Sequence, residues 1–147
     1  STLSVYRGNV VMIVNTASFC CFTKQYRELQ NVWESFREEG LVVLGVPSND
    51  FGNQEPGNEA EIKNFCELNY GINFPMTAKV HVKGANAHPF YKWAEQEKGA
   101  LAKPRWNFHK YLVGRDGRLV DWFATTTKPT ATKVTRAIEM QLARVGQ

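Results

Sequence analysis

Cysteine is scarce in this chain: Cys20, Cys21 and Cys66 are the three among 147 residues. An odd number, with neither disulfide-framework spacing nor a Cys-x-x-Cys pair, excludes a scaffold stapled by disulfides. It points to a reducing compartment, so a cytoplasmic location is expected. Histidine is equally sparse: His81, His88 and His109 show no ligand spacing with the cysteines, and no metal site is expected. Long apolar runs are absent, since none approaches the roughly 20 residues that span a bilayer. No signal-peptide pattern is present. Charge of one sign is not concentrated either. The 18 basic and 14 acidic residues leave a net charge of +4, and the longest basic cluster, Lys103-Pro104-Arg105, is too short to argue for nucleic acid. So mild a positive potential can still steer an anionic substrate or an acidic partner protein. There is no internal repeat, low-complexity tract or linker. With 43% hydrophobic residues the chain can bury one sizeable core, and residues 1–147 are read as a single domain. Ser1 stands where an initiator methionine would and reads as a trimmed start.

What the chain does contain is an alternation of strand and helix signals. Residues 9–15 are nearly all apolar and β-branched, the pattern of a buried strand. Residues 25–38 follow with Tyr26, Leu29, Trp33 and Phe36 at helical spacing, and Gly40 stands where a helix-ending glycine belongs. Residues 41–46 are a second continuous apolar run, read as a central parallel strand. A polar loop, 47–57, leads to a helix starting at Asn58, where Glu61 completes a capping-box pattern. Residues 74–82 read as extended and residues 88–97 as a helix with Pro89 in its first turn. Two strands, 108–113 and 118–124, flank the hairpin signal Gly114-Arg115-Asp116-Gly117. A last helix, 130–143, carries Val134, Ile138 and Leu142. The order predicts an α/β fold: a central mixed sheet with helices on both faces, parallel strands first and an antiparallel pair last.

The segment Asn15-Thr16-Ala17-Ser18-Phe19-Cys20-Cys21-Phe22-Thr23 joins the first strand to the first helix. There the unpartnered N–H groups and the positive end of the helix dipole converge. A free cysteine has a pKa of about 8.5, and lowering it to about 6 raises the thiolate fraction at neutral pH roughly 30-fold. Cys20 is therefore a candidate reactive thiol, weighed against a small buried hydrophobe. Cys21 is read as a packing residue, because adjacent cysteines meet disulfide geometry only with a distorted peptide.

Three blocks resemble the glutathione peroxidases. The first is the segment from Asn15 to Cys20 with Thr23 following. The second is Leu41-Val42-Val43-Leu44-Gly45-Val46-Pro47-Ser48-Asn49-Asp50-Phe51-Gly52-Asn53-Gln54-Glu55-Pro56-Gly57, and the third is Trp106-Asn107-Phe108-His109-Lys110-Tyr111-Leu112-Val113. The resemblance implies a thioredoxin-like fold and a peroxidase whose reactive cysteine is assisted by a glutamine, a tryptophan and an asparagine: Cys20, Gln54, Trp106 and Asn107. The chemistry suits these groups. A thiolate attacks one peroxide oxygen, while two amides and an indole N–H hold the sulfur ionised and receive charge on the departing oxygen. The resemblance further implies that Cys66 is a resolving cysteine, condensing with a Cys20 sulfenic acid to a disulfide that a thioredoxin-like protein reduces. Glutathione is the other reductant considered, and no metal, haem or flavin is expected.

The chain departs from the family pattern at Cys21, where glycine is usual, and at Ser48 and Asp50, where cysteine and glutamine are frequent. Residues 96–105 form a short segment where tetrameric relatives carry an insertion. That resembles the monomeric type acting on phospholipid hydroperoxides, with an open site. Contact with a membrane is compatible with that type, although no basic amphipathic helix supports it. The rival function is a peroxide sensor or relay in which Cys20 passes its oxidation to a client protein.

Overall fold

The computed structural model describes residues 3–18 and 22–144. Four strands form one sheet in the order β2-β1-β3-β4: β1 Val10–Thr16, β2 Leu41–Pro47, β3 Lys110–Val113 and β4 Leu119–Phe123. β1 pairs parallel with β2 and antiparallel with β3, and β3 with β4 antiparallel. All seven residues of β1 are buried, as the continuous apolar run requires of a strand covered on both faces.

Strand alternation divides the core. Val10, Met12 and Val14 face α1 (Gln25–Phe36), α2 (Glu59–Tyr70) and α4 (Thr132–Leu142), meeting Tyr26, Leu29, Ile62, Cys66, Val134 and Ile138. Val11 and Ile13 face the other way, onto α3 (Pro89–Lys98), with Phe90, Tyr91 and Ala94. Each large aliphatic side chain so buried contributes about 1.5–3 kcal/mol.

Local signals set the element ends. Asn58 accepts from the Glu61 N–H at 2.9 Å while the Glu61 carboxylate accepts from the Asn58 N–H at 3.1 Å, a complete capping box at α2. His88 caps α3 by accepting from the Phe90 N–H, one residue ahead of Pro89. Gly40 ends the first helical segment at φ 113°, a backbone conformation glycine adopts without a Cβ clash. In α1, Trp33 and Phe36 lie at the margin of the core and Val32 is inside it.

Residues 74–82, expected to be extended, contain no helix and meet the sheet at one isolated bridge. Met76 alone bridges Gly45, through Gly45 N–H to Pro75 O and Thr77 N–H to Gly45 O. Proline has no N–H for a ladder, and the stretch spends its polar groups on the 48–58 loop. Lys79 donates to the carbonyls of Glu55 and Gly57, and the Val82 and Lys83 N–H groups donate to the Asp50 carboxylate. Burial alone would raise the Asp50 carboxyl, but bonds from His81 and these two amides outweigh it and hold the group below its usual range.

Candidate active site

Cys20 and Cys21 lie outside the described residues. The described residues resume at Phe22 after them and reach Ser18 before them. Thr16 ends β1, and the carbonyls of Phe22, Thr23 and Lys24 accept from the N–H groups of Gln25, Tyr26 and Arg27. A hydrogen-bonded turn over Phe22–Lys24 thus leads straight into α1, whose N-terminus carries the positive end of the helix dipole.

The remaining three members of the quartet come together. Asn107 is fully buried, and its Nδ2 donates to Gln54 Oε1 at 3.0 Å and to the Phe51 carbonyl at 3.5 Å. With Gln54 Oε1 engaged by Asn107, the Gln54 amide N–H pair is directed away from that contact. Trp106, the preceding residue, packs on Phe51 with ring centroids 5.8 Å apart. It also closes over Gly52, where a Cβ would come within 2.9 Å of its ring. Gly52 sits at φ 68°, so both the backbone and the indole require glycine there. Residues from the β2 loop and from the turn into β3, 53 positions apart, are thereby locked face to face.

Asn15 builds that turn, a role sequence reasoning did not assign. Its Nδ2 donates to the Trp106 carbonyl at 3.0 Å, its Oδ1 accepts from His109 N–H at 3.0 Å, and its carbonyl accepts from Phe108 N–H at 2.6 Å. These bonds hold Phe108 at φ 64°, a left-handed conformation that costs an ordinary residue about 1–3 kcal/mol. The Phe108 ring is anchored edge-on against Tyr26, 5.2 Å away. A lone asparagine ending an apolar strand was the available signal.

Glu55 is the second residue missed. It is completely buried beside Gln54, and its Oε1 accepts from the Ser18 N–H at 3.1 Å. Burial pushes its carboxyl up, against the lowering effect of the Ser18 bond and of Lys79.

Cys66 sits in α2, 1% exposed, on the wall of a groove of about 470 Å3 between α2 and residues 72–78. Burial pushes its thiol up to about 11, opposed by the nearby Tyr26 hydroxyl. In this conformation Cys66 is a thiol, and a nucleophilic role requires that it leave its place in the helix.

His109 is packed inside the protein as a structural side chain. Its imidazole is 2% exposed, stacked on Trp122 at 5.4 Å and edge-on to Tyr111. Its partners Tyr111 and Trp122 belong to one core cluster, whereas the Phe108 ring, at a left-handed residue ahead of β3, belongs to the other. Burial pulls its pKa down to about 4, so the folded state binds fewer protons than the unfolded chain between about pH 4 and 6.5. Stability is then complete above about pH 6.5 and declines as pH falls towards 4, by up to ~3 kcal/mol. Urea unfolding across that window should show the decline in the wild type and a flatter profile in His109→Phe; equal slopes would exclude His109 as the cause.

Among the described residues no group of three or more His, Cys, Asp or Glu is placed to hold a metal ion. None of the described helices is long and apolar enough to cross a membrane.

The family model described as glutathione peroxidase matches residues 1–95. The chain belongs to the glutathione peroxidase family. Among its relatives, the glutathione peroxidase homolog BsaA of Bacillus subtilis (strain 168) is 49% identical over 131 residues, covering 87% of this chain and 82% of that protein. The hydroperoxy fatty acid reductase gpx1 of Synechocystis sp. is 46% identical over 132 residues, covering 84% and 78%. The crystal structure of Trgpx in apo form superposes with a TM-score of 0.78 at 38% identity, over 98% of this chain and 87% of that one. The fold is thioredoxin-like: a thioredoxin-family protein from Chlorobium tepidum aligns with a TM-score of 0.66 at only 13% identity, over 97% of this chain and 86% of that one. This family member is a peroxidase, an oxidoreductase that reduces hydroperoxides at the expense of a thiol.

Proposed function

We propose that Cys20 is the peroxidatic nucleophile and that Gln54, Trp106 and Asn107 supply the hydrogen-bond donors of the site. The observation that carries this reading is the Asn107–Gln54 hydrogen bond, which draws residues of two distant motifs together next to Trp106. The Cys20 thiolate attacks the peroxide, forming a sulfenic acid and releasing alcohol or water. Amide and indole N–H groups stabilise the sulfur anion before attack and the oxygen anion as it leaves. The Cys66 thiol then condenses with the sulfenic acid, forming the S–S bond and expelling water. Two electrons from a thioredoxin-type dithiol return both cysteines to thiols by exchange. The cycle needs no metal, haem or flavin. The substrates are hydrogen peroxide and organic or lipid hydroperoxides, in keeping with the name of the Synechocystis relative. Residues 1–147 act as one cytoplasmic, monomeric domain.

Two measurements on one preparation test this. Protein treated with one equivalent of hydrogen peroxide is digested without reduction, and a Cys20–Cys66 disulfide is expected in the peptide map. Peroxide consumption is then followed with thioredoxin and its reductase, or with glutathione and its reductase. Thioredoxin-coupled turnover should vanish in Cys66→Ser. Glutathione-coupled turnover that survives Cys66→Ser would replace the resolving step with a one-cysteine mechanism, and absence of turnover with either donor would favour the relay.

A further inference from the structure

The last described peptide before the cysteine pair, Ala17–Ser18, is held from both sides. Its carbonyl accepts from Thr23 Oγ1 at 2.9 Å, across the segment that contains Cys20. Its N–H donates to Glu55 Oε1 at 3.1 Å. The first bond closes the segment on itself, and the second fastens it to the loop that bears Gln54.

That loop is rigidly built. The Glu55 N–H donates to Asn49 Oδ1 at 2.9 Å, Lys79 Nζ donates to the Glu55 carbonyl, and Gln54 is bonded to Asn107. Two hydrogen bonds at adjacent loop residues, Asn107 to Gln54 and Ser18 to the Glu55 carboxyl, therefore tie the same short piece of chain to Asn107 and to Ser18, two residues before Cys20 in sequence. The carboxyl is completely buried, and its Oε2 has no hydrogen-bond partner among the described residues. A buried carboxyl with one idle oxygen is costly if packing is its only purpose. Core packing at this position would be served by a hydrophobic residue of similar size.

We propose that Glu55 is a positioning residue of the peroxide-reducing site, its carboxyl oxygen holding the Ser18 peptide so that Cys20 stands in register with the Gln54 and Asn107 amides. The inference rests on the reading of Cys20 as nucleophile. Register matters because a displacement of about 1 Å between nucleophile and donors can cost 10²-fold in rate. Burial raises the carboxyl above its ordinary range.

The test separates the two halves of the catalytic cycle. Glu55→Ala and Glu55→Asp both remove the reach to Ser18, the second by one methylene with the carboxyl retained. Each is expected to lower kcat/KM for hydrogen peroxide ~10–100-fold while kcat/KM for the thioredoxin-type reductant stays within ~3-fold of wild type. Glu55→Gln keeps a neutral acceptor oxygen at the same reach and is expected to restore the peroxide half-reaction to within about 3-fold. If Glu55→Ala does not fold, Asp against Gln decides. An active Asp with a dead Gln would assign the proton rather than the bond and overturn the proposal. So would wild-type peroxide kinetics in Glu55→Ala, or an equal loss in both half-reactions unrelieved by Gln. Cys20→Ser is run alongside: turnover surviving there would refute the nucleophile assignment itself, whatever the Glu55 variants do.

Discussion

Cys20→Ser is expected to lower hydroperoxide turnover by about three orders of magnitude or more, the scale on which losing a nucleophile acts. The reason is chemical as well as kinetic. Peroxide reduction takes two electrons from sulfur, and a hydroxyl at the same place has no corresponding oxidation state to reach. At neutral pH a serine is also a weak nucleophile, whereas even an ordinary cysteine is a few per cent thiolate and intrinsically strong. Peroxide consumption with a coupled reductant measures the effect. The adjacent thiol makes the experiment sharper. If Cys20→Ser keeps a tenth of the activity and Cys21→Ser abolishes it, the nucleophile is Cys21 and the motif alignment is displaced by one residue.

Asn107→Ala should follow, with a loss of about 10²-fold in kcat/KM for peroxide, as for removal of one preorganised donor to a developing anion. Two changes add in the same direction. The donor disappears, and Gln54 Oε1 loses the 3.0 Å bond that orients its amide. Asn107→Asp is the harsher substitution. It sets a carboxylate oxygen against Gln54 Oε1 and the Phe51 carbonyl, and places a negative charge close to the proposed thiolate. Stopped-flow oxidation by hydrogen peroxide should rank wild type above Ala and Ala above Asp. Ala equal to wild type would remove Asn107 from the machinery.

Legibility followed the range of the interaction. The capping box of Asn58 and Glu61, Pro89 in the first turn of α3, the turn at 114–117 and the Val134-Ile138-Leu142 stripe depend on residues a few positions apart, so they were visible without a fold. That residues 74–82 run extended was legible too; that they meet β2 through Pro75, Thr77 and Val80, with the Val82 N–H given to Asp50 32 positions away, depends on contacts distant in sequence. Asn15 and Glu55 were passed over for the same kind of reason. Asn15 reaches Trp106 across 91 positions, and Glu55 reaches Ser18 across 37.

The sequence by itself determined the alternation of strands and helices, the buried character of β1 and β2, and the residue types of the quartet, because periodicity, caps and motif blocks are written in neighbouring positions. Only the tertiary structure decided that Asn107 grips Gln54, that Asn15 holds Phe108 in a left-handed turn, that Cys66 is buried as a thiol in α2, and that Glu55 is turned inward onto Ser18. Each of those outcomes depends on which strand lies beside which. That pairing sets the distance, the burial and the hydrogen-bond partner on which reactivity rests.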